Sequence, residues 1–554
     1  MPSTKALGNL QIMERHGMKM KLTLEGLKDK DIWKEAGYAL PEFDHEKVRN
    51  ATMEAPTWIH FGAGNIFRAF QANVLQTILN KDEDAKGLIA VEGYDYEIIE
   101  KMYRPHDNLS ILATLKADGA VTKAVVGSIV ESLILDSSNP EQYGRLKTIF
   151  ANPSLQMASF TITEKGYQLV NGKGELLPDV VSDFMEGSRQ PKSYLGKVVS
   201  LLYHRYQMGA LPLAMVSMDN CSHNGDRLRD AVTSFASAWC EKGLAENGFL
   251  SYVNSSSVSF PWTMIDKITP RPDDKVKAML AADRIEDLEQ VITSKNTYVA
   301  PFVNAEECEY LIIEDDFPNG RPPLEMGGVI FTDRATVDKV EKMKVCTCLN
   351  PLHTSLAIFG CLLGYDLICE EMKDPLLRKL AEVVGYKEGL PVVVDPGIIS
   401  PRKFIDEVLQ SRIPNPFMPD TPQRIATDTS QKLAIRFGET IKSYAGDPNL
   451  QVLDLKIIPL VLAGWLRYLM GIDDDGKPFA LSPDPLLDTV CPRVSSYGLD
   501  QPVTDFEPLR PILSDSHIMG VNLYEMGLAD VVCEDFAQLC DGTGAVRRTL
   551  ERLL

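Results

Sequence analysis

The stretch Thr57-Trp-Ile-His-Phe-Gly-Ala-Gly64, continued by Asn65-Ile-Phe-Arg-Ala-Phe-Gln-Ala-Asn-Val-Leu-Gln-Thr-Ile-Leu79, decides the fold. A short apolar run ends in glycines, and the residues after it are apolar at helical spacing, so the segment reads as strand, tight turn and helix. A second apolar run, Gly87-Leu-Ile-Ala-Val-Glu92, reads as the next strand and leads into another helical segment. Apolar runs at Met157 to Thr163 and Leu211 to Met218 continue the rhythm. Strands alternating with helices predict a parallel sheet covered on both faces.

Gly62-Ala63-Gly64 stands where a dinucleotide pyrophosphate can rest against free backbone N–H groups and the positive end of a helix. Any Cβ there pushes a phosphate away. The strict G-x-G-x-x-G pattern requires glycine at position 67, where Phe67 stands, followed by Arg68. A turn that merely needs glycine geometry is the competing reading. Glu92 and Asp95 fall at or just past the second strand, where a carboxylate can accept from an adenosine ribose and repel a 2′-phosphate, so NAD is expected rather than NADP. They lie 28 and 31 residues beyond Gly64, farther than the usual spacing of about 20, and the choice between them stays open. The expected cofactor contacts are Gly62, Gly64, Asn65, Arg68, Glu92 and Asp95.

Outward from this core, residues 1–55 read as a polar N-terminal extension packing on the body, and 56–333 as a Rossmann-like, NAD-binding α/β domain. The segment Pro301 to Phe331, rich in Pro, Gly and acidic residues, interrupts the rhythm and reads as the junction. Residues 334–554 read as a mainly α-helical domain, with helical patterns over Val337–Leu363, Leu376–Val384, Pro401–Ser411, Arg424–Ser443, Gln451–Met470 and Val532–Leu554.

The 554 residues carry 57 Lys+Arg against 77 Asp+Glu, a formal charge of −20, with 44% hydrophobic residues. That composition excludes disorder and argues against nucleic-acid binding, which needs clustered cations. No run of about 18 apolar residues and no leader-like apolar segment are found, so a soluble, cytoplasmic protein with no membrane span is expected. The ten cysteines show no C-x-x-C pattern and read as reduced, mostly buried thiols. Cys346 and Cys348 lack two further ligands at finger-like spacing, so no metal site is predicted.

The stretch Glu341-Lys-Met-Lys344-Val-Cys-Thr-Cys-Leu-Asn350-Pro-Leu-His353 sets ionisable groups and an amide in apolar surroundings. Such groups are costly to bury unless paired or used. A desolvated lysine amine can serve as a general base near neutral pH, an amide can donate to an oxygen gaining negative charge, and a histidine can orient a hydroxyl. A solvated helix face with one internal histidine is the other reading of these residues.

Taken in order, FGAGNIFRAF, TITEKGY (Thr161 to Tyr167), MDNCSHNGD (Met218 to Asp226), FPWTMIDKITP (Phe260 to Pro270), IIEDDFPNGRPPLE and EKMKVCTCLNPLH resemble the mannitol dehydrogenase family, from about residue 57 to the C-terminus. The family comprises polyol-specific long-chain dehydrogenases and their hexuronate-reducing relatives. The resemblance implies zinc-independent hydride transfer between a nicotinamide and a secondary alcohol or ketone. It implies Lys344 as general base, Asn350 and Asn220 as the pair stabilising the alkoxide-like oxygen, and His353 as a hydrogen-bonding partner of the substrate. It further implies Glu341 as the acid linking the lysine to solvent, Asp266 as an anchor for substrate hydroxyls or the local network, and Arg424 and Lys432 as substrate-binding cations.

Two departures stand out. The family pattern has four residues between lysine and asparagine, whereas five separate Lys344 from Asn350. One extra residue turns a regular helix by about 100°, so a π-bulge or similar irregularity is expected if both groups reach one substrate. Ile66-Phe67-Arg68, where polyol enzymes commonly carry Phe-His-Arg, resembles the hexuronate-reducing branch. The expected substrate is a small sugar acid or polyol, with D-mannonate and D-fructuronate favoured over tagaturonate and mannitol. A module that binds NAD without catalysis is the reading from another class, with the extra residue as its lesion.

Overall fold

A computed structural model of the chain describes residues 19–82, 84–499 and 501–554. The first eighteen residues of the expected N-terminal extension lie outside them. The chain forms two compact units, one of residues up to Leu115 with Val121–Val337, the other of Lys116–Ala120 with Asp338–Leu554.

The first unit is built on six strands: β1 (Trp58–Phe61), β2 (Leu88–Glu92), β3 (Ile129–Ile134), β4 (Met157–Phe160), β5 (Leu213–Ser217) and β6 (Val258–Ser259). Their order across the sheet is 3-2-1-4-5-6, and every neighbouring pair is parallel. This is the doubly wound Rossmann arrangement, and its strand order reverses between β1 and β4, where a crevice opens at the carboxyl ends of the strands. Alternation along each strand feeds two cores. Ile59, Phe61, Ile89, Val91, Ala158 and Phe160 enter one, and Trp58, Leu88, Ala90 and Met157 enter the other. Both faces are therefore buried, which is why these strands read as continuous apolar runs.

Helices α1 (Ala72–Leu79), α2 (Pro140–Ala151), α3 (Tyr194–Gln207) and α4 (Asn224–Glu241) cover the sheet. The helix opened by Asn65 is not regular throughout, because Phe67–Gln71 is a π segment. Residues 19–55 pack on the same unit, with Tyr38–Ala39 paired to Val121–Val126 and Val48 in the core. The segment read as a junction contributes strands. Phe302–Glu306 pairs with Ser110–Leu115, and Tyr310–Glu314 with Thr263–Asp266. The partners lie far away in sequence, so no local pattern announces the pairing.

The second unit is mostly helical. Helix α5 (Arg334–Met343) spans the boundary at Val337 and leads through a π segment into α6 (Asn350–Leu363), while α7 (Ile457–Tyr468) and α8 (Ala529–Leu539) pack together. All twelve residues of α7 are buried. Side chains such as Leu460 and Leu466, with no exposed surface, each contribute roughly 1.5–3 kcal/mol of burial. Among the described residues the helical run Arg334–Leu363 is the one long and apolar enough to cross a membrane, and 78% of its apolar window is buried inside the fold. Several expected helices are shorter than their patterns. The run Val532–Leu554 breaks where Gly542 and Gly544 adopt positive φ, and Arg424–Ser443 breaks at Asp428, with φ +54.

Candidate functional site

In the first unit the turn after β1 is set by Gly62, whose φ is +106 and whose missing Cβ would stand 2.1 Å from the Thr161 carbonyl oxygen. No other residue type fits there. Gly64 differs, since a Cβ there would meet nothing within 4 Å. Both glycines line a cleft of about 740 Å³ beside the strand-order reversal. Beneath it His60 stacks on Phe67 at 4.1 Å and bonds Ser159 and Thr161 through its two ring nitrogens. Burial lowers its pKa to about 3, so it is a neutral cross-link between β1 and the start of the β4 loop.

Glu92 is buried, and its carboxylate accepts from the backbone N–H groups of Ala63 (2.9 Å), Tyr94 (2.8 Å) and Asp95 (3.1 Å). Burial raises its pKa and the three donors oppose the rise. It therefore fastens the glycine turn to the end of β2. Asp95 is equally buried, but only Oδ2 is engaged, accepting from the Thr293 hydroxyl at 2.5 Å; Oδ1 has no partner and the residue lines the cleft. Tyr194 also lines the cleft with a partnerless hydroxyl. An open glycine cradle, a buried carboxylate oxygen awaiting a donor and apolar walls that include Ile98 and Leu195 fit a dinucleotide.

Asn65 and Arg68 do not line the cleft. Arg68 is buried and donates to Asn65 Oδ1 (2.9 Å) and the Ala300 carbonyl (2.8 Å), so it anchors the helix start. Asn220 lies exposed in the loop after β5. That loop is tied down by Asp219, which sequence reasoning missed. Its carboxylate accepts from the N–H groups of Ile162 and Thr163, both at 2.9 Å, and from Tyr167 Oη at 2.6 Å. Burial raises the Asp219 pKa. The signal was present in the paired phrases TITEKGY and MDN, although their contact is invisible along the chain. Asp266 is buried at the end of its strand, opposite Tyr310.

In the second unit Lys344 is buried and opens the π segment Lys344–Cys348. The Leu349 N–H donates to the Lys344 carbonyl at 3.1 Å, a five-residue step that absorbs the extra residue before Asn350 begins α6. The expected helix irregularity is therefore present. His353 follows on the first turn of α6, half-buried, and Glu341 is half-buried one turn before the lysine. Lys342 points elsewhere, ion-paired with Asp338 at 2.7 Å with its side chain 55% exposed. The hydrogen bond it donates to Asp338 raises its pKa, which makes it a poor base. Burial pushes the Cys346 thiol up to about 11 and Cys348 up to about 12. Among the described residues no group of three or more His, Cys, Asp and Glu is arranged to hold a metal ion.

Arg424 and Lys432 are differently placed. Arg424 is largely exposed and ion-paired with Asp420, whereas Lys432 is half-buried and donates to the Thr427 carbonyl. Burial lowers the Lys432 pKa, assisted by the nearby Arg436 guanidinium. Arg436 donates to the Thr354 hydroxyl.

Residues 56–326 match the mannitol dehydrogenase Rossmann domain and residues 336–502 the mannitol dehydrogenase C-terminal domain. The chain is 52% identical to a D-mannonate oxidoreductase of Thermotoga maritima, over 97% of this chain and 99% of that one. It is 26% identical to a D-mannonate oxidoreductase of Escherichia coli, over 93% and 95% respectively. Among solved structures it resembles the ternary complex of Pseudomonas fluorescens mannitol 2-dehydrogenase with NAD and D-mannitol, at 25% identity and a TM-score of 0.66, covering 96% of this chain and 99% of that one. Fold, domain order and sequence thus agree: the chain belongs to the mannitol dehydrogenase family and is an oxidoreductase of that family.

Proposed function

We propose that the protein interconverts D-mannonate and D-fructuronate by hydride transfer with NAD, using Lys344 as general base and no metal. The observation that carries the substrate is the 52% identity to the Thermotoga maritima D-mannonate oxidoreductase across nearly the whole chain. A nicotinamide bound there would supply the hydride chemistry, taking a hydride from the alcohol carbon in oxidation and giving one to the carbonyl carbon in reduction. Gly62 and Gly64 would hold the pyrophosphate and Asp95 the adenosine ribose, with Glu92 holding the turn in shape. A carboxylate in that place disfavours a 2′-phosphate, which supports NAD over NADP.

In the oxidative direction the Lys344 amine takes the alcohol proton as the hydride leaves, so the products are a ketone, reduced cofactor and a protonated lysine. Glu341 passes that proton to solvent. The Asn350 amide donates to the substrate oxygen as its charge develops, Asn220 is assigned the matching role, and His353 orients the hydroxyl. Asp266 anchors a substrate hydroxyl, and Arg424 and Lys432 belong to the substrate-binding segment. The burial of Lys344 and the diversion of Lys342 to Asp338 support this choice of base. A cytoplasmic location accords with the ten free thiols.

The test follows absorbance of NADH, and in parallel NADPH, with D-fructuronate, D-tagaturonate and D-fructose. Fastest turnover of NADH with fructuronate is expected. Faster reduction of fructose than of either uronate overturns the substrate, and no turnover with any of the three favours a module that only binds NAD.

A further inference from the structure

Resting on the hexuronate reading above, we infer that Arg436, together with Lys432, receives the carboxylate of the substrate and so selects sugar acids over neutral polyols. Arg436 sits in the π segment Ala434–Gly438, and this segment packs against the π segment Lys344–Cys348 that carries the proposed base. Among the described residues six segments are π turns, and Val383–Gly389 also packs against the lysine segment, so what distinguishes Ala434–Gly438 is the cation it carries. The guanidinium reaches α6, where Nη1 donates to the Thr354 hydroxyl, and that hydroxyl donates in turn to the Asn350 carbonyl at 2.9 Å. Thr354 is one helical turn beyond Asn350, so Arg436 addresses the helix face that presents the proposed oxyanion donor.

The charge around Arg436 is uncompensated. Among the described residues no carboxylate pairs with it, and its side chain is otherwise engaged only by the Thr354 hydroxyl. Burial alone pulls its pKa down, to about 10, with no acid opposing the fall. Burial lowers the Lys432 pKa and the Arg436 guanidinium lowers it further, while Asp428 and Asp484 act in the opposite direction. In a chain of net charge −20, with 77 acidic residues, a half-buried arginine without an acid marks a place kept for an external anion. Arg424, by contrast, already holds an anion in Asp420 and is exposed. A planar guanidinium can bind a carboxylate through two parallel N–H donors, which a neutral hydroxymethyl group at the same end of a polyol cannot use.

The experiment measures KM and kcat of wild type, Arg436→Gln and Arg436→Lys with NADH, against D-fructuronate and D-fructose, with NADH binding and melting followed as controls. For Arg436→Gln the fructuronate KM should rise about 10- to 100-fold, and the preference for fructuronate over fructose should fall by a similar factor. Arg436→Lys keeps the charge and loses the fork, so a rise several-fold smaller is expected. If Arg436→Gln does not fold, the lysine variant decides by the same selectivity ratio. An unchanged fructuronate KM, or an equal loss on both substrates, overturns the inference and leaves the hexuronate reading standing. A wild type with no activity on hexuronates removes both.

Discussion

The glycine turn of the first unit and the lysine segment of the second solve opposite problems. At the turn the backbone is forced by a steric fact, because Gly62 has φ +106 and the Thr161 carbonyl leaves no room for a side chain. At the lysine segment nothing is excluded; a surplus residue is accommodated as one π turn between α5 and α6, and the reward is placement of Lys344 and Asn350. One region is therefore sensitive to what is added and the other to how the residues are spaced.

That contrast can be broken in graded ways. The largest effect is expected for Lys344→Ala, which should lower kcat about 10²- to 10⁴-fold with NADH affinity nearly intact, measured by steady-state kinetics and cofactor fluorescence titration. An active variant moves the base elsewhere. Next comes Gly62→Ala. The positive φ alone costs about 1–3 kcal/mol, and the overlap with Thr161 adds to it, so thermal unfolding should show a large drop. Gly64→Ala differs, because its Cβ enters open cleft. Stability should hold while the Kd for NADH rises roughly tenfold, one displaced contact being worth about 1.4 kcal/mol. Equal melting losses at both glycines would refute the distinction between the fold-forming and cofactor-facing glycine.

The smallest effect concerns two buried acids. Glu92, in the first unit, accepts three backbone hydrogen bonds. Glu371, in the second, is fully buried with neither carboxylate oxygen partnered, and desolvation raises its pKa well above normal. A raised carboxyl pKa means the fold keeps the proton that the unfolded chain releases. Stability from this group is thus present below the ordinary carboxylate range, about 4.3, and declines as pH rises toward the folded value. Glu371→Gln should melt progressively higher relative to wild type as pH increases from 5 to about 8. A difference independent of pH would show that the acid is not protonated in the fold.

Much of this was legible in sequence, for local reasons. The apolar run ending at Gly62-Ala63-Gly64 carries its own strand and turn signal, and the five residues between Lys344 and Asn350 call for a helix irregularity. What escaped depends on distant partners. Phe302–Glu306 looks like linker because its companion strand, Ser110–Leu115, lies far upstream. Arg68 has the composition of a phosphate ligand, yet the Ala300 carbonyl claims its guanidinium. Arg436 could not be separated from Arg424 by residue type, since the difference between them is Asp420, which neutralises one and leaves the other unpaired.

The account is tested most directly by incubating the purified protein with NADH and D-fructuronate and identifying the product by NMR. It predicts D-mannonate and NAD in equal amounts, with far less product from D-fructose under the same conditions. Absence of mannonate, or D-mannitol formed from fructose at the higher rate, would contradict it.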